Sequence, residues 1–299
     1  LVIFLSIKET ILQSVENKVQ AYVGNSRAHL KEADLDLIDR KKELAHSRNA
    51  EIVKCRAEGQ VISKNKVDDQ TYLNYLVHYQ FLLNQNERLY LEEVCEERRA
   101  IFQGNELIND EEIQKQEEES FHETLERDGS ESEDTRGFKY NRLEAVRYAE
   151  QWWNSYNPKY KKFEVDCTNY VSQCLHAGGA PMTGYPNRSK GWWMRSNNWS
   201  FSWSVAHALR WHLSGAKSGL RGREVSSPEE LMLGDIICYD FEGDGRFNHN
   251  TIVVAKDENN MPLVNAHTTN SRMRYWEYTD STAYTPNIKY KFFTIVDDD

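Results

Sequence analysis

The sequence predicts an α+β protein in two parts, and three observations carry that expectation. Apolar residues recur at helical spacing through roughly the first fifty positions. A segment of alternating, strand-forming residues follows. Beyond an acidic stretch with few apolar residues the chain becomes core-rich again, with helical patterns first and short strand patterns after them.

Taken in order, residues 6–52 read as helical. Ile7, Ile11, Val15 and Val19 share one face, followed by Leu30, Leu37 and Leu44, with Gly24-Asn25 as the break between two helices. Residues 72–83 alternate as a strand, Asn84-Gln85-Asn86 reads as a turn, and residues 88–99 alternate again through Leu89, Leu91 and Cys95. This is a helix-plus-meander domain over residues 1–109. Residues 110–137 carry acidic runs at 117–119 and 131–134 and too few apolar residues for a core, so they are assigned as an acidic linker. The second domain covers residues 138–299. Leu143, Val146, Ala149, Trp152 and Trp153 suggest a helix, a second helix begins at Cys167 and stops at Gly178, and a third spans 205–213. Strands are expected at 235–239, 251–255, 263–267, 273–277 and 288–296.

Charge and cysteine usage narrow the function classes. The formal net charge is −10, and residues 1–137 hold 18 Lys and Arg against 29 Asp and Glu. This is no nucleic-acid footprint, and no nucleic-acid partner is expected. Five scattered cysteines form no disulfide framework, which favours a reducing, cytoplasmic setting. The opening apolar run is too short to span a bilayer and lacks a signal-peptide pattern, so no membrane span is expected. The chain opens on Leu rather than Met, read as a missing or altered natural start, which leaves export open.

The chemistry centres on Cys167. A cysteine in the first turn of a helix sits among N–H groups without intrahelical partners, at the positive end of the helix dipole, a setting that favours thiolate. Asp166 just before it is a good N-cap type. His249 stands at the mouth of an apolar strand and is the expected base. A five-residue loop at 256–260 would place Ala255 opposite Met261 and His249 opposite His267, with Asn265 on the same face, so His267 or Asn265 is the expected third member. Cys55, Cys95, Cys174 and Cys238 read as packing residues. Trp192, Trp193 and Trp199 are candidates to line a substrate groove, against the commoner fate of aromatics as core. No Cys-x-x-Cys is present, and neither a metal nor another cofactor is expected.

Several segments in order resemble a known family: Tyr140-Asn141-Arg142, residues 145–153, residues 166–173, residues 178–182, Ser202-Trp203-Ser204, Gly234-Asp235 and His267-Thr268. The chain from about 140 to 297 is similar to the bacterial putative amidase domain family, and more broadly to papain-like cell-wall peptidases of the NlpC type and CHAP amidases. The resemblance implies a papain-like domain, with a catalytic helix on an antiparallel sheet. It also implies a Cys167 nucleophile, a His249 base, a polar third residue such as His267, and amide hydrolysis through a thioester. The Cys167 N–H would help hold the oxyanion. A peptide or peptidoglycan-like substrate follows from the same resemblance. The alternative is a non-catalytic peptide- or glycan-binding module, with the acidic N-terminal domain recruiting a protein partner. A transferase passing the acyl group to an amine is a third reading.

Overall fold

A computed structural model describes residues 6–115 and 138–297, and the chain divides into two compact units. The first runs to Gln114 and also takes in Tyr278–Thr282; the second holds the remainder.

In the first unit, α1 (Ile7–Val23) and α2 (Glu32–Ser47) precede four antiparallel strands: β1 (Ala50–Val67), β2 (Gln70–Gln85), β3 (Arg88–Gln103) and β4 (Glu106–Glu112). A capping box between Ser6 and Glu9 starts α1. Strand β2 alternates as its sequence requires: Leu73, Tyr75, Val77, Tyr79, Phe81 and Leu83 are buried in one cluster with Ile11, Tyr22 and Ile38. The β2–β3 turn falls at Asn86 and Glu87, both at positive φ, two positions later than the predicted turn began.

Two boundaries differ from the sequence-based expectation. Helix was predicted through Ile52, yet β1 begins at Ala50, because the left-handed Asn49 (φ 59°) ends the helical run. Strand β1 was not expected, since its outer half is exposed on both faces, Val61, Ile62 and Val67 included, and carries no alternation. The linker was expected from 110, but Asp110 lies in β4 and is buried. It accepts from the Tyr75 hydroxyl and from Arg98 Nε, and Lys18 Nζ lies 3.9 Å away. The predicted linker from 116 to 137 falls outside the described residues.

This buried network makes a prediction. Burial alone would raise the Asp110 carboxyl, but Arg98 and Lys18 outweigh it and hold it below its ordinary value of 3.8. The unfolded chain then binds the proton more tightly than the folded one. The stabilisation is present above the ordinary carboxylate range and is lost as pH falls through it. Asp110→Asn is expected to flatten the acid limb of first-unit stability, read by hydrogen exchange of β2 amides at pH 6 and pH 3.5. An unchanged acid limb would contradict this role.

In the second unit, α3 (Arg142–Trp152) and α4 (Cys167–Ala177) come first. A two-stranded ribbon, β5 (Met194–Arg195) and β6 (Asn198–Trp199), follows, then α5 (Phe201–Ser204) and α6 (Ala206–Gly215). The remaining strands are β7 (Arg221–Val225), β8 (Ile236–Asp240), β9 (His249–Lys256), β10 (Pro262–Ala266), β11 (Asn270–Tyr275) and β12 (Lys289–Val296). Within this unit the order is β11-β10-β9-β8-β12-β7, antiparallel throughout. Alternation divides the sheet. Ile236, Cys238, Ile252, Val254, Phe293 and Ile295 share a core with Ala145, Val171, Cys174 and Leu209 of the helices. Tyr239, Thr251, Tyr290 and Phe292 belong to the other face: the Tyr239 hydroxyl meets Thr251 and donates to the Trp276 carbonyl.

The Gly234-Asp235 turn anchors this sheet. Gly234 has φ +81°, where a Cβ would lie 3.1 Å from the Tyr140 hydroxyl. The buried Asp235 carboxylate accepts from Arg142 and from the backbone N–H groups of Met232 and Ile295. Its role is to tie α3 to β12. The segment Tyr278–Thr282, expected in the second domain, counts with the first unit, where Lys41 bridges Glu92 and Asp280.

Candidate active site

Cys167 is the first residue of α4 and is 1 % exposed. Its helix is amphipathic, with Val171, Cys174 and Leu175 against the sheet, and it ends where Gly178 N–H bonds to the Cys174 carbonyl and Gly179 N–H to the His176 carbonyl. Nearly every polar neighbour in the motif is committed to fixing this first turn. Asp166 occupies the N-cap position but makes no side-chain cap, unlike the expectation. Its Oδ1 accepts from Phe163 N–H and from Asn169 Nδ2, and its Oδ2 from His267 Nδ1 at 2.8 Å. Three donors outcompete the helix N–H groups for one carboxylate. Asn169 in turn accepts from the Trp203 indole, and Ser172 accepts from the Trp192 indole.

His267 is 2 % exposed and stacks on Tyr170, with centroids 4.0 Å apart and 17° between planes. Its other nitrogen, Nε2, lies 2.8 Å from the Trp152 carbonyl oxygen. Carboxylate and carbonyl are both acceptors, so the ring satisfies both only when both nitrogens donate. The next residue, Thr268, sits at φ +87°, an uncommon conformation for a β-branched residue, and its hydroxyl accepts the Asp166 N–H. His267 and Thr268 together clamp the start of α4.

Asn265 is also buried, but its amide donates to Glu150 and its oxygen accepts from Met273 N–H. The hairpin register explains why neither His267 nor Asn265 lies across from His249. Ala255 pairs with Leu263, not Met261, and a register shift follows, so Ile252 faces Asn265. The Asp257 carboxylate closes the loop by accepting Asn259 and Met261 N–H groups, with Asn260 at φ +61°. That closure moves the pairing by two residues, a detail that alternation alone does not reveal.

His249 pairs with Tyr239 on β8. Its ring packs on Tyr239 (5.5 Å) and Phe241 (6.0 Å), the face carrying Thr251. Burial, with Arg274 adding to it, lowers its basicity to about 3, so the imidazole is neutral at physiological pH. Its chain neighbour Asn250 points to the helix side and donates to Thr168 Oγ1 at 3.0 Å. The structure therefore brings Cys167, Asp166, Thr168, Asn250 and His267 around one helix start and turns the His249 ring to the opposite face.

The groove tryptophans divide. Trp192 and Trp193 are 0 % and 1 % exposed and belong to the interior, a correction to the groove assignment. Their indoles donate to Ser172 and to the Asn187 carbonyl, and Trp192 packs on Trp203 at 4.7 Å. Trp199 is half-buried, with the Lys161 ammonium 4.4 Å and the Arg188 guanidinium 5.3 Å from its ring. Among the described residues no group of three or more His, Cys, Asp or Glu is placed to hold a metal, and no helix is long and apolar enough to cross a membrane.

Sequence reasoning passed over Thr168 and Asn250. The signal was available: if His249 opens a strand, the period of two places Asn250 on the opposite face.

The family described as "Putative amidase domain" matches residues 139–293. The uncharacterized protein YhbB of Bacillus subtilis (strain 168) is 52 % identical over 306 residues, covering 98 % of this chain and 97 % of that protein. The uncharacterized protein YjcM of the same strain is 32 % identical over 152 residues, covering 48 % of this chain and 34 % of its own length. No solved structure matches. With the family match spanning more than half of its length, the chain belongs to the putative amidase domain family.

Proposed function

We propose that this protein is a cysteine-dependent amide hydrolase with Cys167 as its nucleophile, acting through a thioester in a papain-like arrangement of helix and sheet. The supporting observation is a thiol at the first residue of a buried helix, in an amidase-family domain, with flanking polar side chains committed to holding that turn. The other thiols are poor nucleophiles. Burial pushes Cys55 and Cys95 up to about 12, and Cys174 and Cys238 well above the ordinary thiol value.

In the proposed reaction the Cys167 sulfur attacks the amide carbonyl, and N–H groups of the first turn receive the oxyanion. His249 takes the thiol proton and returns it to the leaving amine; water then releases the acid. The neutral His249 ring carries the lone pair that this step needs; because a side chain cannot rotate through a paired sheet, His249, the first residue of β9, must leave its pairing with Tyr239 for the ring to reach the sulfur. His267, with its two ring nitrogens held against the Asp166 carboxylate and the Trp152 carbonyl, is proposed to position the helix start and not to act as base. Peptides of the cell-wall type are the proposed substrate class.

The orientation of His249 favours a second reading, a peptide-binding module without turnover. Iodoacetamide separates the two. The hydrolase reading predicts that Cys167 is alkylated faster than the other four cysteines at pH 7, read residue by residue by mass spectrometry. All five thiols are buried, so the rate reports thiolate character together with opening of the first turn. Equal or slower reaction at Cys167, with muropeptide binding retained in Cys167→Ala, would favour the binding module.

A further inference from the structure

One hydroxyl at the start of α4 has two polar neighbours. Thr168 Oγ1 lies 3.7 Å from Cys167 Sγ and accepts from Asn250 Nδ2 at 3.0 Å. All three residues are at most 1 % exposed. A threonine hydroxyl has one proton and two lone pairs. The Asn250 N–H occupies one lone pair and leaves the proton to be directed at the sulfur. Asn250 is fixed by its place in β9, opposite Cys238 on the helix side of the sheet. Its Oδ1 is buried without a hydrogen-bond partner among the described residues, so the Thr168 bond is what sets the amide's orientation.

From this geometry we propose that Thr168 is a positioning residue for the nucleophile: its hydroxyl donates to the Cys167 thiolate, and Asn250 holds it in the donating orientation. The proposal rests on the reading of Cys167 as nucleophile. In the thiol form S–H can donate to the Thr168 oxygen. When that proton leaves, the direction reverses, and a chain of donors runs from Asn250 through Thr168 to the anion. In a buried setting such a chain is strengthened, and a hydrogen bond to the charged form favours that form. The helix dipole acts with the same sign.

The test is the pH dependence of Cys167 alkylation in the full chain, resolved by residue. Thr168→Val keeps the shape and removes the hydroxyl, and its midpoint is expected to rise by roughly one pH unit or more. Thr168→Ser is expected to restore a midpoint near that of the unaltered protein. Asn250→Ala is expected to move it upward by less, and it carries the test alone if Thr168→Val does not fold. Fast alkylation of Cys167 in the unaltered protein with no upward movement in the folded variants would overturn the Thr168 role alone. If Cys167 in the unaltered protein reacts no faster than the other cysteines, the nucleophile reading fails and takes this proposal with it.

Discussion

Cys167→Ala is expected to abolish amide turnover, lowering kcat on the order of 10⁴-fold or more, as removal of a covalent nucleophile does elsewhere. The fold should barely notice. Cys167 is buried at the first turn of α4, and the ties that hold this turn run through Asp166, Thr168, Asn169 and His267. Losing one sulfur from such a site should cost about 1 kcal/mol. The signature is therefore a large kinetic loss with a nearly unchanged unfolding midpoint. His249→Ala should lower kcat roughly 10²- to 10⁴-fold, the range for a general base. Turnover of muropeptides by both variants at the unaltered rate would remove the catalytic assignment.

Asp166→Ala is expected to have the largest effect on stability, about 3–5 kcal/mol. The side chain is almost fully buried, and its two oxygens serve His267, Phe163 N–H and Asn169. Truncation leaves all three donors without that acceptor, among them a ring nitrogen of a buried histidine. Replacing a donor's partner with nothing costs far more than the bond itself contributes. Asp166→Asn keeps one oxygen but presents an amide to the His267 N–H, so it should lie close to Ala and not to the original. All eight tryptophans lie between Trp152 and Trp276, in the second unit. Tryptophan fluorescence during urea unfolding therefore reports that unit by itself. A shift below about 1 kcal/mol would show that the clamp is not what holds the helix start.

Much of the fold was legible because the strands of the second unit use β-branched and aromatic residues in short runs, and α4 has one apolar face. Strand β1 was not, since an edge strand exposed on both faces leaves no alternation to read. Cys167 was legible from its place at the head of an apolar helix. Its surroundings were less so. The pairing of His249 depended on how Asp257 closes a loop and on a one-residue register shift, and both are set by local hydrogen bonds that composition does not encode. Trp192 and Trp193 are interior for a related reason: residue type gives aromatic area, while exposure depends on partners such as Ser172 and Asn187. The roles of Asp166 and His267 as a pair required distant segments to meet, 101 positions apart.

The most direct measurement is acid-quenched peptide mapping of the intact protein after mixing with a peptide amide substrate such as a muropeptide. The account predicts a mass increase equal to the acyl group on the peptide bearing Cys167, absent in Cys167→Ala and discharged by water on longer incubation. Turnover without any acyl group on Cys167, or an acyl group carried by another residue, would contradict it.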